Sequence, residues 1–234
     1  MVSSEQLKER AGIAACSFIS DGMSLGLGTG STVKYSIIEI SRMMEQDGLE
    51  VSGVPTSEAT KELAESLGIP LVELHQTGKL DLTIDGADEF DQNFDLIKGG
   101  GGALTREKIV ASASDSMVVV ADSTKQVATL GEFPLPVEVD RLMWHEAMGQ
   151  ISSICPGPVI LRGGEEAPYI TDNDGLILDC SFGPTIEEPK LLESRISGVG
   201  GVVEVGLFVG ICDAVVLASG DGLETLLRPN GRLN

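Results

Sequence analysis

The chain has 234 residues, 42% hydrophobic and 22% charged, with a formal net charge of −20. That length and balance bury a proper core, in one large domain or in a large domain with a smaller partner. Aromatics make up only 4%, and the acidic excess repels polyanions, so a nucleic-acid interface built on stacking rings and phosphate-binding cations is excluded.

In chain order, Ser3 with Gln6 is spaced to cap a first helix, and Leu7, Ala11, Ala14, Ala15 and Phe18 form its apolar stripe. Met23 to Gly28 reads as a buried strand, and Thr29-Gly30-Ser31-Thr32 opens a second helix. A glycine-rich strand-to-helix turn presents free N–H groups and the positive end of a helix dipole to an anion, with the hydroxyls of Thr29, Ser31 and Thr32 as further donors. It is not a P-loop, because no lysine stands between Gly30 and Ser31. Nor does the second strand, which ends at Val54-Pro55-Thr56, carry the acid of a dinucleotide fold. The turn therefore reads as a monophosphate site, with a plain tight turn as the alternative. Ser57 reads as a helix N-cap and a possible ligand group. Strands are expected over Leu49–Val54, Ile69–Leu74 and Leu80–Ile84.

The stretch from Leu82 to Ala113 is the densest in chemistry. An apolar strand runs into Asp85 and Asp88, separated by Gly86 and Ala87, and a short apolar run then delivers Lys98. Gly99, Gly100, Gly101 and Gly102 follow, and a helix carries Arg106, Glu107 and Lys108 in its first turns. Four successive glycines cost ordering entropy that a simple turn does not require, which points to a backbone that something approaches closely. The strand Met117–Asp122 ends at Ser123-Thr124-Lys125, where Lys125 is either a third cation at the same rim or a solvated lysine.

Alternating short apolar strands and amphipathic helices predict an α/β fold with a Rossmann-like, doubly wound, mostly parallel sheet, whose ligands lie beyond the strands' carboxyl ends. After Gly131 the pattern changes to β-α-β-β-α-β, which predicts a smaller inserted α+β domain of ferredoxin-like order. The expected division is residues 1–131 with 207–234 for the main catalytic domain and 132–206 for the small one. Tyr169 to Cys180 reads as a hairpin turning at Asp172–Gly175, Val202 to Phe208 as one strand, and Ala214 to Ala218 as the last strand, with a patternless tail from Arg228.

Cys16, Cys155, Cys180 and Cys212 are widely spaced with no CxxC pair, and read as small buried hydrophobes of a reducing compartment rather than a zinc site or disulfide framework. His75 and His145 lie away from the glycine-rich stretches as surface or packing residues, and Trp144 is expected in the core. No apolar run reaches membrane-spanning length and the start is not a signal peptide, so a soluble cytoplasmic protein is expected. An anion cradle, two aspartates, a lysine and a glutamate suit proton transfer α to the carbonyl of a small phosphorylated sugar.

GLGTGST (Gly26–Thr32), IDGADE (Ile84–Glu89), KGGGGALTREK (Lys98–Lys108), ADSTKQV (Ala121–Val127), FPLPVEV (Phe133–Val139) and VEVGLF (Val203–Phe208) together resemble type A ribose-5-phosphate isomerase. The match is weakest from Arg141 to Arg195. The resemblance implies aldose–ketose interconversion of ribose 5-phosphate and ribulose 5-phosphate through an enediolate. Glu107 would be the base, Asp85 and Asp88 would bind hydroxyls and help open the furanose ring, and Lys98 would stabilise the enediolate. Thr29, Gly30, Ser31 and Thr32 would hold the phosphate with Lys125 and Lys8, while Gly86, Ala87, Gly99, Gly100 and Gly101 would let backbone reach the sugar. The resemblance further implies no metal or organic cofactor, and a homodimer or homotetramer whose small domain makes part of the contact. A non-catalytic sugar-phosphate sensor on the same fold is the alternative.

Overall fold

A computed structural model describes residues 3 to 233. In chain order the helices are α1 (Ser4–Ala15), α2 (Val33–Asp47), α3 (Glu58–Ser66), α4 (Leu74–Thr77), α5 (Leu104–Ser112), α6 (Trp144–Ser152) and α7 (Pro189–Ser197). The strands are β1 (Ser24–Leu27), β2 (Ser52–Pro55), β3 (Leu80–Gly86), β4 (Glu89–Phe90), β5 (Leu96–Ile97), β6 (Ser114–Asp122), β7 (Leu135–Val139), β8 (Val159–Leu161), β9 (Leu176–Cys180), β10 (Val202–Val205), β11 (Leu207–Phe208), β12 (Ala214–Ser219) and β13 (Gly222–Leu227).

The chain divides into two compact units. The first takes Met1–Ala87, Arg106–Gln126 and Ile211–Asn234, and the second takes Asp88–Thr105 and Val127–Gly210. The second unit thus includes 88–105, a segment expected in the main domain, because β4 and β5 pair with β11 rather than with the large sheet.

The first unit is built on one six-stranded sheet in the order β13-β12-β6-β3-β1-β2. All neighbours are parallel except the β12–β13 edge pair. Burial on both faces demands near-continuous apolar strands, and Met117 to Ala121 in β6 are each at most 1% exposed. Leu25, Leu27, Leu82, Ile84, Val118, Val120, Ala214 and Val216 pack with Ala11 and Ala15 of α1 and Val33, Ile37 and Ile40 of α2. The capping box of Ser3 and Gln6 starts α1 as its spacing predicts. From β1 the chain goes to β2 on one side and to β3 on the other, so the β1/β3 boundary is the switch point of the sheet.

Three features of this unit differ from the sequence expectation. Over Ile69–Leu74 there is only an isolated bridge from Leu71 to Gly53, because Pro70 has no N–H to give a ladder, and α4 begins at Leu74. The edge strand β13 was not expected: its residues GLETLL are mostly exposed and show no buried run. The segment Arg228–Leu233, patternless in sequence, is tied down. The Arg232 Nε donates to both oxygens of the buried Asp213 at 3.1 and 3.0 Å, and its Nη2 donates to the Ile211 carbonyl at 2.6 Å.

The second unit carries a four-stranded antiparallel sheet in the order β10-β7-β9-β8. With α6 after β7 and α7 after β9, this is the ferredoxin-like arrangement. Val137, Val139, Leu161, Leu178 and Val205 pack on Ala147 and Ile151 of α6 and Ile196 of α7. Trp144 is only partly buried against this core. The hairpin expected from Tyr169 keeps its turn, but its first arm is reduced to one bridge between Ile170 and Leu176. The single strand expected over Val202–Phe208 is two, β10 and β11, in different sheets. Gly206 separates them: a side chain there would fall on the Lys98 carbonyl and 2.8 Å from that of Pro136.

The four cysteines are free and buried, as expected of small hydrophobes. Burial pushes the Cys16 thiol from an ordinary 9.0 up to about 12 and raises Cys180 likewise. Between those values the unfolded chain has lost a proton that the folded chain keeps, so stability falls as pH rises through the window and is full below it. The urea midpoint is therefore expected to drop between about pH 8 and about pH 10.5, and to drop less in Cys16→Ala. An identical drop in the variant would show that Cys16 is not responsible. Arg232→Ala is expected to destabilise by about 1–3 kcal/mol, since Asp213 loses its charged donor, as measured by urea unfolding.

Candidate functional site

In the first unit, three neighbouring strands deliver the predicted residues to one edge of the sheet. The turn Gly28–Thr32 leaves the carboxyl end of β1, Asp85 lies near the end of β3, and Lys125 lies on a 3-10 turn after β6. The carboxyl end of a parallel strand at a switch point is where such sheets bind ligands.

Asp85 is fully buried. Its Oδ1 accepts the Thr29 amide across the β1/β3 boundary at 3.1 Å and the Gly86 amide at 2.7 Å. Gly28 makes this approach possible, because a Cβ there would overlap the Asp85 carboxylate and lie 2.6 Å from its Cα. The Thr29 hydroxyl points into a cluster with Thr56 (2.7 Å), Ser57 (2.8 Å) and Thr60 (3.2 Å). Thr56 and Thr60 in turn donate to the carbonyls of Leu27 and Gly28. That cluster fixes the turn from below, and sequence reasoning missed Thr56 and Thr60 because a hydroxyl at a strand end or helix start is ordinary. Ser57 is the N-cap of α3, accepting the Thr60 amide at 3.1 Å. Gly30 and Ser31 are exposed and Thr32 is half-buried at the start of α2, where helix N–H groups and the dipole favour an anion.

Glu107 lies in the first turn of α5 and is 4% exposed. Its neighbour Arg106 is engaged with Glu58 at 2.7 Å. That hydrogen bond holds the Glu58 carboxyl below its usual range. Lys8, on α1, sits 3.8 Å from Glu5, whose Oε1 accepts from Lys34 and Tyr35. Both histidines are exposed.

In the second unit, Asp88 is fixed by backbone on two sides. Its amide donates to the Ile97 carbonyl at 2.8 Å, and its Oδ2 accepts the Gly100 amide at 2.7 Å. Gly100 has no room for a side chain, since a Cβ would press into the Asp88 carboxylate. Lys98 is 2% exposed, its amide donates to Gly206 at 2.8 Å, and its Nζ lies 5.5 Å from the centre of the Phe208 ring. A charge buried to that degree costs several kcal/mol to desolvate, which points to a use other than packing. Gly101 is exposed and Gly99 buried, while Gly86 and Ala87 are half-buried where β3 ends.

The family model "Ribose 5-phosphate isomerase A (phosphoriboisomerase A)" matches residues 52–222. A ribose-5-phosphate isomerase A of Cereibacter sphaeroides is 50% identical over 91% of this chain and 87% of its own. The chain belongs to the ribose-5-phosphate isomerase A family. The solved Methanocaldococcus jannaschii ribose 5-phosphate isomerase A superposes with a TM-score of 0.90 at 39% identity, covering 96% of this chain and all of that one. A D-ribose-5-phosphate isomerase solved in complex with phospho-erythronic acid superposes at 0.93, with 37% identity and coverage of 97% and 100%. Among the described residues, no helix is long and apolar enough to cross a membrane.

The contact between Gly28 and Asp85 sets one expectation. Gly28→Ala should destabilise the fold by about 1–3 kcal/mol, as overpacking against backbone does, measured by urea unfolding beside Gly101→Ala. Gly101 meets open space, and its variant should stay near wild type.

Proposed function

We propose that this protein is a ribose-5-phosphate isomerase that interconverts D-ribose 5-phosphate and D-ribulose 5-phosphate, with Glu107 as the base. The observation that carries the assignment of the base is a carboxyl 4% exposed on the first turn of the helix that follows the glycine run. Burying a carboxylate costs desolvation that packing alone does not require. A proton shuttle does gain, because burial keeps bulk water from the abstracted proton.

Aldose–ketose isomerisation moves a proton from C2 to C1 and another from O2 to O1. In the proposed sequence Asp85 and Asp88 bind sugar hydroxyls and help open the furanose ring. Glu107 removes the C2 proton, and negative charge develops on the former carbonyl oxygen. Lys98 stabilises that charge as the enediolate forms, in surroundings where an ammonium acts more strongly than in water. As the hydroxyl proton passes from O2 to O1, Glu107 returns the first proton to C1. Gly30, Ser31 and Thr32 hold the phosphate at the start of α2, with Lys125 adding charge, which answers the repulsion a dianion meets from a chain of net charge −20. Thr29 contributes through the backbone it fixes, while Gly86, Ala87, Gly99, Gly100 and Gly101 give the sugar access to main chain.

Family membership also supports a homodimer with the second unit at the subunit contact, a cytoplasmic location, no cofactor, and a place in the non-oxidative branch of the pentose phosphate pathway. The experiment is conversion of ribose 5-phosphate to ribulose 5-phosphate in excess chelator. Wild type should turn over, and Glu107→Gln should bind the sugar phosphate but lose roughly 10²–10⁴-fold in kcat, the range of a general base. Near-wild-type turnover in Glu107→Gln removes it from the role, and binding without turnover in wild type defeats the isomerase reading.

A further inference from the structure

Arg162 follows β8 on the sheet face opposite α6 and α7, since Val159 and Leu161 point into that core. Its guanidinium is committed on two sides. Nε and Nη2 donate to Asp179 Oδ2 and Oδ1 at 3.0 and 2.6 Å, a bidentate pair. Nη1 donates to the carbonyls of Gly99 at 2.9 Å and Gly100 at 3.2 Å. The guanidinium lies 5.7 Å from the centre of the Tyr169 ring, and the Tyr169 hydroxyl donates to the Gly101 carbonyl at 3.2 Å. Three successive carbonyls of the glycine run are therefore held by two side chains.

The peptide plane carries this hold further. In a trans peptide the carbonyl of one residue and the N–H of the next point in opposite directions. Drawing the Gly99 carbonyl toward Arg162 turns the Gly100 N–H the other way, and that N–H donates to Asp88 Oδ2 at 2.7 Å. Glycine offers no side chain to restrict the run, so the restraint must come from outside it.

We propose that Arg162, oriented by Asp179, is a positioning residue that fixes the glycine run and, through the Gly99–Gly100 peptide, the carboxylate of Asp88. The inference rests on the proposed role of Asp88 in binding substrate. Arg162 itself touches no reacting atom, and its effect is on the placement of a group that does.

The test is a double-mutant cycle on kcat/KM for ribose 5-phosphate, using Arg162→Met, Asp88→Asn and both together, below the melting temperature of each variant. Arg162→Met should lose roughly 10²-fold, the cost of misplacing a substrate-positioning group by about an ångström. Added to Asp88→Asn it should cost little more, because its effect passes through Asp88. Losses that multiply across the cycle, or wild-type kinetics in Arg162→Met, overturn the proposal. If Arg162→Met does not fold, Arg162→Lys is read in the same way, since an ammonium cannot hold Asp179 bidentately and bridge two carbonyls at once. Wild-type turnover in Asp88→Asn alone overturns the Asp88 role and the proposal with it. An impaired Asp88→Asn beside an unimpaired Arg162 variant overturns the clamp only.

Discussion

The first unit depends on placing one carboxylate, Asp85, where no solvent reaches it. A buried carboxylate is tolerated only when hydrogen bonds replace its water. The donors here include the amides of Thr29 and Gly86, and the first of them belongs to the turn leaving β1. The requirement therefore links two strands at the switch point of the sheet, and it explains why residue 28 has no side chain. The hydroxyl cluster of Thr29, Thr56, Ser57 and Thr60 completes the turn from the other side. Its hydrogen bonds are spent inside the protein, which leaves Gly30 and Ser31 at the surface.

The second unit solves a different problem with the same materials. Its glycine run has little intrinsic preference for any conformation, yet the carboxylate of Asp88 accepts from one of its amides. The ferredoxin-like sheet supplies the order. Its helix-covered face is an apolar core, and the opposite face carries Arg162, Asp179 and Glu138. Glu138, 1% exposed, accepts from the hydroxyls of Thr171 and Thr105. The close passage of Gly206 by the Lys98 and Pro136 carbonyls fixes where that lysine leaves the backbone.

Much of the architecture is legible in residue order because the physics behind it is local. Apolar runs such as Met117–Ala121 can only be interior strands, the β-α-β-β-α-β order after Gly131 appears as it reads, and the Ser3–Gln6 box caps α1. The errors fall where a partner elsewhere in the chain overrides the local signal. Val202–Phe208 has the pattern of one strand, but its ends pair with β7 and β5 in separate sheets. Arg228–Leu233 has no periodicity, yet Arg232 meets the buried Asp213 nineteen positions away.

The sequence by itself determined the fold class, the family, and the set of groups available for chemistry, because apolar periodicity and the spacing of glycines and charges are written along the chain. Tertiary structure decided how those groups are held. It turned the Thr29 hydroxyl inward, paired Arg106 with Glu58, and brought Arg162 to a glycine run 62 and 63 residues away. Contacts of that kind depend on which faces of distant strands meet, and no local preference of the residues involved encodes them.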